Sequence, residues 1–519
     1  MSIDRPGRHA PYARTQRWVA AWLLASAVLV ATVPPALAAA PAPGTASSPA
    51  ATAAGTPAEV LPDVLPTPTP DPAAPPAPTP APTPSPTPDP ATTPLPTPSP
   101  TPVPTPQPTP AWSKAITTVG PTIRFYGRGN GHGVGMSQWG ARGRALAGQS
   151  ASQIVAAYFA GAVPGVTSAS RAVRVLVLAA FRTSAAVPLR LHGRGGDWTV
   201  DGVAATFPAD ASLTAWRTVA TVAGTSVATW HVRVLAADGA TVLHDGTAKG
   251  KVIVRPAAAG TRLELDSKGS TYDLYRGSLT LVLASSTINV VNTLGLDDYI
   301  RGVVPMEMPS TWPVEALRAQ AMVARSWTMR HLHPTTGTYD VFDDTRSQVY
   351  RGVRGERTGT NLLISAAPGA VILSGRTIVN AFYHSAGGGW TENNEDAFVP
   401  ASGILSSAPL AYLRGRDDRA PDGTAYDAGA PGFAWSTATV TRAQLSAILA
   451  ADARTAVGDV LRLDLTHRGV SGRLYRVVIY GTKATRTVSG DVFRAVFNAH
   501  RPTGTASMLS NLFAASPLP

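Results

Sequence analysis

The 519-residue chain contains no cysteine. Disulfides and thiolate metal sites are therefore both excluded, and folding needs no oxidant. Beyond residue 38 it also lacks any apolar run long enough to span a bilayer. Acids are in deficit, with 32 Asp and Glu against 44 Lys and Arg, for a formal net charge of +12. Such an excess often accompanies nucleic acid, but helix-turn-helix, zinc-finger and RNA-binding aromatic motifs are missing, so no nucleic-acid partner is expected. A dinucleotide fingerprint is missing too. Neither Gly129-x-Gly131 nor Gly131-x-Gly133 is followed by a third glycine at the required spacing, and no Gly-Lys-Ser/Thr of a phosphate loop occurs.

What is present begins with Arg5, Arg8, Arg14 and Arg17, an apolar run from Trp18 to Val33, and Ala36-Leu37-Ala38 as a small-residue cleavage site. This reads as a secretory leader, and only an uncleaved one would leave a membrane anchor. Its removal takes away four Arg and one Asp and leaves +9. For an exported chain that charge favours anionic wall polymers and peptide carboxylates. From Ala39 to Ala111 the chain is Ala, Pro and Thr with TPTP-like repeats, a composition that cannot build a core and predicts a disordered, polyproline-like spacer. The expected location is outside the cytoplasm, secreted or in the cell envelope.

The remainder is long enough for a substantial core. Thr122–Tyr126 reads as a short strand entering the glycine-rich Gly127–Gly140, GRGNGHGVGMSQWG, with a helix near Ser150–Ala160. In that loop His132, Gln138 and Trp139 are the groups available to a sugar, unless His132 simply satisfies a tight turn. Alternating runs at Val173–Leu178, Trp230–Ala236, Gly250–Arg255, Arg262–Asp266 and Ser278–Ala284 predict strands, punctuated by Gly-Asp and Asp-Gly turns. Helices are expected near Trp312–His331 and Arg442–Ala453, and further strands at Val371–Leu373, Thr377–Phe382, Leu461–Leu465 and Leu474–Tyr480. The fold class is α+β with a large antiparallel component and a few helices.

Leu294–Arg325 delivers one glutamate, Glu307, into a Pro- and Met-rich apolar turn just before a helix. A carboxyl near its reference pKa of about 4.3 is ionised at neutral pH and donates no proton, so a general acid must be desolvated. Pro305, Met306, Met308, Pro309 and Trp312 are candidate walls. Val314, Leu317, Ala321, Ala324 and Thr328 then recur at three- and four-residue steps, one small-residue helix face that would hold the turn. The alternative is an ordinary glutamate at a helix start, facing water and the helix dipole.

This segment resembles the core signature of the stage II sporulation protein D family (the SpoIID/LytB type). The matching residues are Asp298, Tyr299, Gly302, Val303, Glu307, Met308, Pro309, Trp312, Pro313, Glu315, Ala316, Leu317, Ala319, Gln320, Ala321, Ala324 and Arg325. Ser347–Gly352, SQVYRG, Ala381–Glu392, AFYHSAGGGWTE, and Gly127–Gly140 agree with it, although the last block follows the glutamate in many relatives and precedes it here. A strand-and-loop unit reaches the same place from either chain end if the termini lie close, and it is expected to pack beside Glu307. The chain then divides into a leader (1–38), a linker (39–111), a glycine-rich segment (112–165), a β-rich region (166–292) and a SpoIID-like catalytic region (293–519).

The resemblance implies a peptidoglycan lytic transglycosylase with Glu307 as catalytic acid, a role that needs its pKa raised. Substrate-binding candidates are Arg325, Gln348, Tyr350, Tyr383, His384, Ser385, His132 and Gln138; each of Arg325, Gln348 and Tyr350 is as readily a structural hydrogen-bonding residue. A Ser385–His384 hydrolase is discounted, because adjacent strand residues face opposite ways. Some relatives hold zinc through a histidine and cysteines here. Without cysteine that does not carry over, and no metal or cofactor is expected. A hydrolytic muramidase would need a second carboxylate, for which Asp297, Asp298, Asp343, Asp344, Glu392 and Glu395 are candidates. The non-enzymatic alternative is a wall-binding module that enhances an amidase.

Overall fold

The computed structural model describes residues 115–518, apart from 223–224. The leader and the whole of the Pro/Thr/Ala spacer lie outside the described residues. The expected α+β class is found, built on antiparallel sheets.

Two sheets carry the β-rich region. A seven-stranded sheet runs in the order Val341–Phe342, Ala172–Phe181, Thr287–Gly295, Ser278–Ala284, Val252–Pro256, Trp198–Val200 and Thr206–Phe207, antiparallel throughout except for the first pair. The six-stranded sheet centres on the long hairpin Ser212–Val222 and Thr225–Leu235. Alternation explains them: Val173, Val175 and Val177 are buried, as are Trp230, Val232 and Val234, so each strand turns every second side chain into the core.

The helices that place the site are α1 (Gln138–Leu146), α2 (Ala151–Tyr158), α3 (Leu296–Glu307) and α4 (Val314–Arg330). α2 starts on a reciprocal capping box between Ser150 and Gln153. α3 has no side-chain cap, but Asp297 and Asp298 in its first turn complement the helix dipole. The single small-residue face expected for α4 is not what forms. Val314 is exposed, while from Ala316 to Thr328 every residue except Arg318 is buried, so α4 is a core helix packed from several sides.

A second apolar cluster gathers around Phe125, Phe493, Phe497 and Phe513. Phe125 meets the other three edge to face, with ring centroids 5.6–5.8 Å apart. It ties the N-terminal segment to the chain's end: Thr117–Thr118 pairs with Val460–Asp464, and Tyr126–Arg128 lies between Ala434–Ser436 and Phe513–Ala514. The expected strand Thr122–Tyr126 is interrupted, forming Thr122–Ile123 and Tyr126–Arg128 with different partners. Likewise Thr377–Phe382 is strand only at Thr377–Ile378. The chain then changes partner, and Tyr383–His384 pairs in parallel with Met136–Ser137 of the glycine-rich segment. Gly135 permits that approach, since its φ is +71° and a Cβ there would sit 2.1 Å from the Phe382 carbonyl oxygen.

Candidate functional site

Glu307 is the last residue of α3, not part of a turn at the start of the next helix. The helix runs on through Pro305, which has no N–H to give the Arg301 carbonyl, and closes with the Met308 N–H on the Val304 carbonyl at 3.0 Å. A helix C-terminus is the negative end of the dipole, so this position disfavours a carboxylate. Burial pushes the Glu307 carboxyl above its ordinary pKa, opposed in order by the Val349 N–H, Tyr383 and Gln138.

The Val349 N–H donates to Glu307 Oε1 at 3.0 Å. That amide is aimed by its neighbour, because Gln348 Oε1 accepts from Thr328 of α4 at 2.8 Å and from the Tyr299 hydroxyl of α3 at 3.3 Å. Gln348 Nε2 in turn donates to the Tyr383 hydroxyl at 3.3 Å. Gln348 is buried with its whole amide engaged, so it positions Val349 and Tyr383 and does not face a ligand. Tyr350 is a second correction. It is buried against Gly302, where a Cβ would lie 2.6 Å from its ring, and its hydroxyl donates to Asn292 Oδ1 at 2.9 Å.

Arg325 is likewise internal. It is 1% exposed and donates to Asp297 Oδ1 at 2.6 Å and to the Ile364 carbonyl at 3.2 Å. The carboxylate it pairs with is therefore the protein's own, Asp297.

The glycine-rich segment does reach Glu307. Gln138 Nε2 donates to the Glu307 carbonyl at 3.1 Å, and beside it Trp139 packs edge to face on Trp312 at 4.8 Å, with the Arg142 guanidinium 5.3 Å from the Trp139 ring. Both tryptophans keep part of their surface in solvent, as do Tyr383 and Glu307, so these groups form a partly open mouth.

Tyr383 and His384 point to opposite faces of their strand, as the pleat requires. Tyr383 goes to Glu307, while His384 is buried with Nδ1 3.2 Å from the Val134 carbonyl and its ring 5.5 Å from that of His132. His132 accepts the Val134 N–H at 3.0 Å. Burial and the buried Arg473 guanidinium lower both imidazoles, His132 to about 3. They are neutral, and the Arg473 charge opposes a cation between them. The half-buried Ser385 makes its bond through its carbonyl, to the Trp139 N–H at 3.0 Å, and no hydrogen bond joins it to His384.

Gly387–Gly389 follows these residues as a glycine turn. It wraps the Asp427 carboxylate, which accepts the Gly388 and Gly389 N–H groups at 2.7 and 3.1 Å. Five of the candidate second acids are held by cations: Asp297 by Arg325, Asp298 by Arg301, Asp343 by Lys268, Asp344 by Arg346 and Glu395 by Arg414. Glu392 is buried on Ser471, whose hydroxyl donates at 2.6 Å, and its pKa is pushed up to about 7 by burial. Among the described residues one His, Glu and Asp trio has metal-ligand spacing, His192, Glu264 and Asp266. Two arginines, Arg194 and Arg354, already occupy Glu264.

Fold and site together define an α+β protein with one desolvated glutamate at a helix end, braced by an amide N–H, a tyrosine and a glutamine beneath an aromatic rim. Residues 284–373 match the SpoIID family, described as stage II sporulation protein, and form a domain of that family within the chain. It is 32% identical over 126 residues to an uncharacterized protein of Brachyspira hyodysenteriae, covering 24% of this chain and 34% of that one. It is 31% identical over 163 residues to the amidase enhancer of Bacillus subtilis, covering 29% and 21%. To stage II sporulation protein D of the same organism it is 28% identical over 173 residues, covering 29% and 50%. The chain thus spans half or less of the length of these relatives. The family match contains Glu307, Arg325, Gln348 and Tyr350 but ends before Tyr383. No helix among the described residues is long and apolar enough to cross a membrane.

The missed residues are Val349, which acts through its backbone, and Thr328, which bonds through Gln348. Backbone groups leave no residue-type signal, and Thr328 was read only as a small residue on a helix face.

Proposed function

We propose that this chain is an exported cell-wall protein that cleaves the glycan strands of peptidoglycan as a lytic transglycosylase. The observation that carries the reading is the desolvated Glu307 carboxyl, raised in pKa and met by the Val349 N–H, Tyr383 and Gln138. Inverting and retaining hydrolases both use a carboxylate pair. A single acid suits a reaction in which the sugar's own hydroxyl replaces water.

Protonated Glu307 donates to the glycosidic oxygen as the bond to the anomeric carbon breaks. The carboxylate then takes the proton of the C6 hydroxyl while that oxygen bonds the same carbon, closing a 1,6-anhydro ring and returning Glu307 to its starting form. Such proton transfer contributes on the order of 10²–10⁴ in rate. The Val349 N–H and Tyr383 stabilise the carboxylate between the two steps, and the Trp139 and Trp312 rim offers apolar faces to sugar rings. The leader and spacer in the sequence fit delivery across an envelope.

The likeness to a protein named amidase enhancer favours a second reading, a wall-binding module that acts on an amidase partner. Mass spectrometry of peptidoglycan and peptide-free strands incubated with the chain, beside Glu307→Gln, separates the two. Anhydro-muramyl products lost in the variant support the lyase. Wall binding without cleavage by the folded chain supports the enhancer.

A further inference from the structure

A cleft of about 590 Å³ opens where the Val252–Pro256 strand ends, lined by Arg255, Ala257, Arg262, Arg276, Thr293 and Asp298. Its charges are unequally committed. Arg255 forms a fork on Asp201 at 2.7 and 2.8 Å, Arg276 does the same on Glu356 at 2.6 and 2.8 Å, and Asp298 is held by Arg301 just outside the cleft. Arg262 is different. Its Nη1 donates to the Ala259 and Thr261 carbonyls at 2.9 and 2.8 Å, and no carboxylate among the described residues pairs with it. The half-buried guanidinium is thus fixed by one nitrogen, leaving Nε and Nη2 without acceptors.

We propose that this cleft is a carboxylate-binding subsite in which the free edge of Arg262 forms the fork. A guanidinium fork matches a planar carboxylate with two parallel N–H···O bonds. One uncommitted positive charge among otherwise neutralised arginines suits a singly charged ligand better than a phosphate carrying nearly two charges. The inference rests on the cell-wall reading for its ligand class. In peptidoglycan the carboxylates are those of the stem peptides or, on peptide-free strands, of the muramic lactyl groups. The subsite is distinct from the Glu307 mouth. Asp298 and Glu307 stand nine residues apart on α3, about 14 Å along the axis and on opposite sides of a helix with 3.6 residues per turn.

The test measures binding of the full chain carrying Glu307→Gln, so that strands are not consumed, with and without Arg262→Gln. The probes are peptide-free strands, strands with their peptides, and each after its carboxylates have been amidated. We expect Arg262→Gln to weaken binding about tenfold on the strand whose carboxylate is recognised. Amidation should weaken the parent similarly and abolish the difference between variants. The responding strand identifies lactyl or peptide carboxylates. Equal binding by both variants, or no effect of amidation, overturns the subsite. Should Arg262→Gln not fold, the amidated probes and Arg262→Lys, which keeps the charge without the fork, decide it. Absent cleavage by the Glu307 chain, with Arg262-dependent binding intact, would remove the lyase reading and leave the subsite standing.

Discussion

The backbone N–H of Val349 points at Oε1 of Glu307 from 3.0 Å, so the desolvated carboxyl at the end of α3 is met by a donor that, proline apart, no substitution at position 349 removes. Burial nonetheless prevails over this bond and over Tyr383 and Gln138, and the carboxyl's pKa is raised. Glu307→Gln should therefore lower strand cleavage by on the order of 10²–10⁴, checked on peptide-free strands. Because the folded pKa exceeds the unfolded one, the protonated form's stability is fully present at low pH and is lost as pH rises through the folded value. Thermal melts of Glu307→Gln should gain on the parent as pH rises across that range.

Tyr383→Phe removes a hydroxyl that holds Glu307's pKa down and accepts from Gln348. The Glu307 pKa should rise further, and the alkaline limb of the cleavage profile should move to higher pH while kcat falls. The stability cost should be about 1 kcal/mol, the usual worth of a hydrogen bond, measured by urea unfolding.

Asp297→Ala leaves the 1% exposed Arg325 without its counter-charge. Removing one partner of a buried pair typically costs about 3–5 kcal/mol. Urea unfolding should register a loss of that size, and the double change Asp297→Leu with Arg325→Met should recover much of it.

Glu392, with its pKa at about 7, faces Ser471 and the buried Arg473. Its folded value lies above the unfolded reference of about 4.3. The stability of the neutral form is thus complete below the reference and lost as pH rises through about 7. Glu392→Gln keeps the shape and cannot ionise, so the fall in melting temperature between pH 5 and 8 should be shallower than in the parent. Asp427, raised to about 6 by burial and by Asp418, should retain part of the slope.

Much of the fold was legible because it followed local periodicity. Ser278–Ala284 is a strand over the expected span, and α4 lies within one or two residues of its expected bounds. The misreadings occur where the chain changes partner. The segment Thr377–His384 is apolar enough for one strand, but its two ends pair with Leu373–Ser374 and Met136–Ser137, and only three-dimensional neighbours divide it. Leu296–Val304 was hard to read as a helix because Pro305 and the Met-Glu-Met-Pro run suggest a turn, whereas the buried face of α3 carries the helix through Pro305 despite the lost N–H.

The residues by themselves determined the class of the fold, the absence of thiol chemistry and the singling out of Glu307, since composition, spacing and residue type are local properties. Tertiary structure alone decided the roles of its companions. Arg325, Gln348 and Tyr350 have the same polar chemistry whether they face a ligand or the core, and the choice depends on which partner is within 3 Å: Asp297, Thr328 and Asn292. Likewise, only the pairing of Tyr383–His384 with Met136–Ser137 brings Gln138 to Glu307 across 169 positions of sequence.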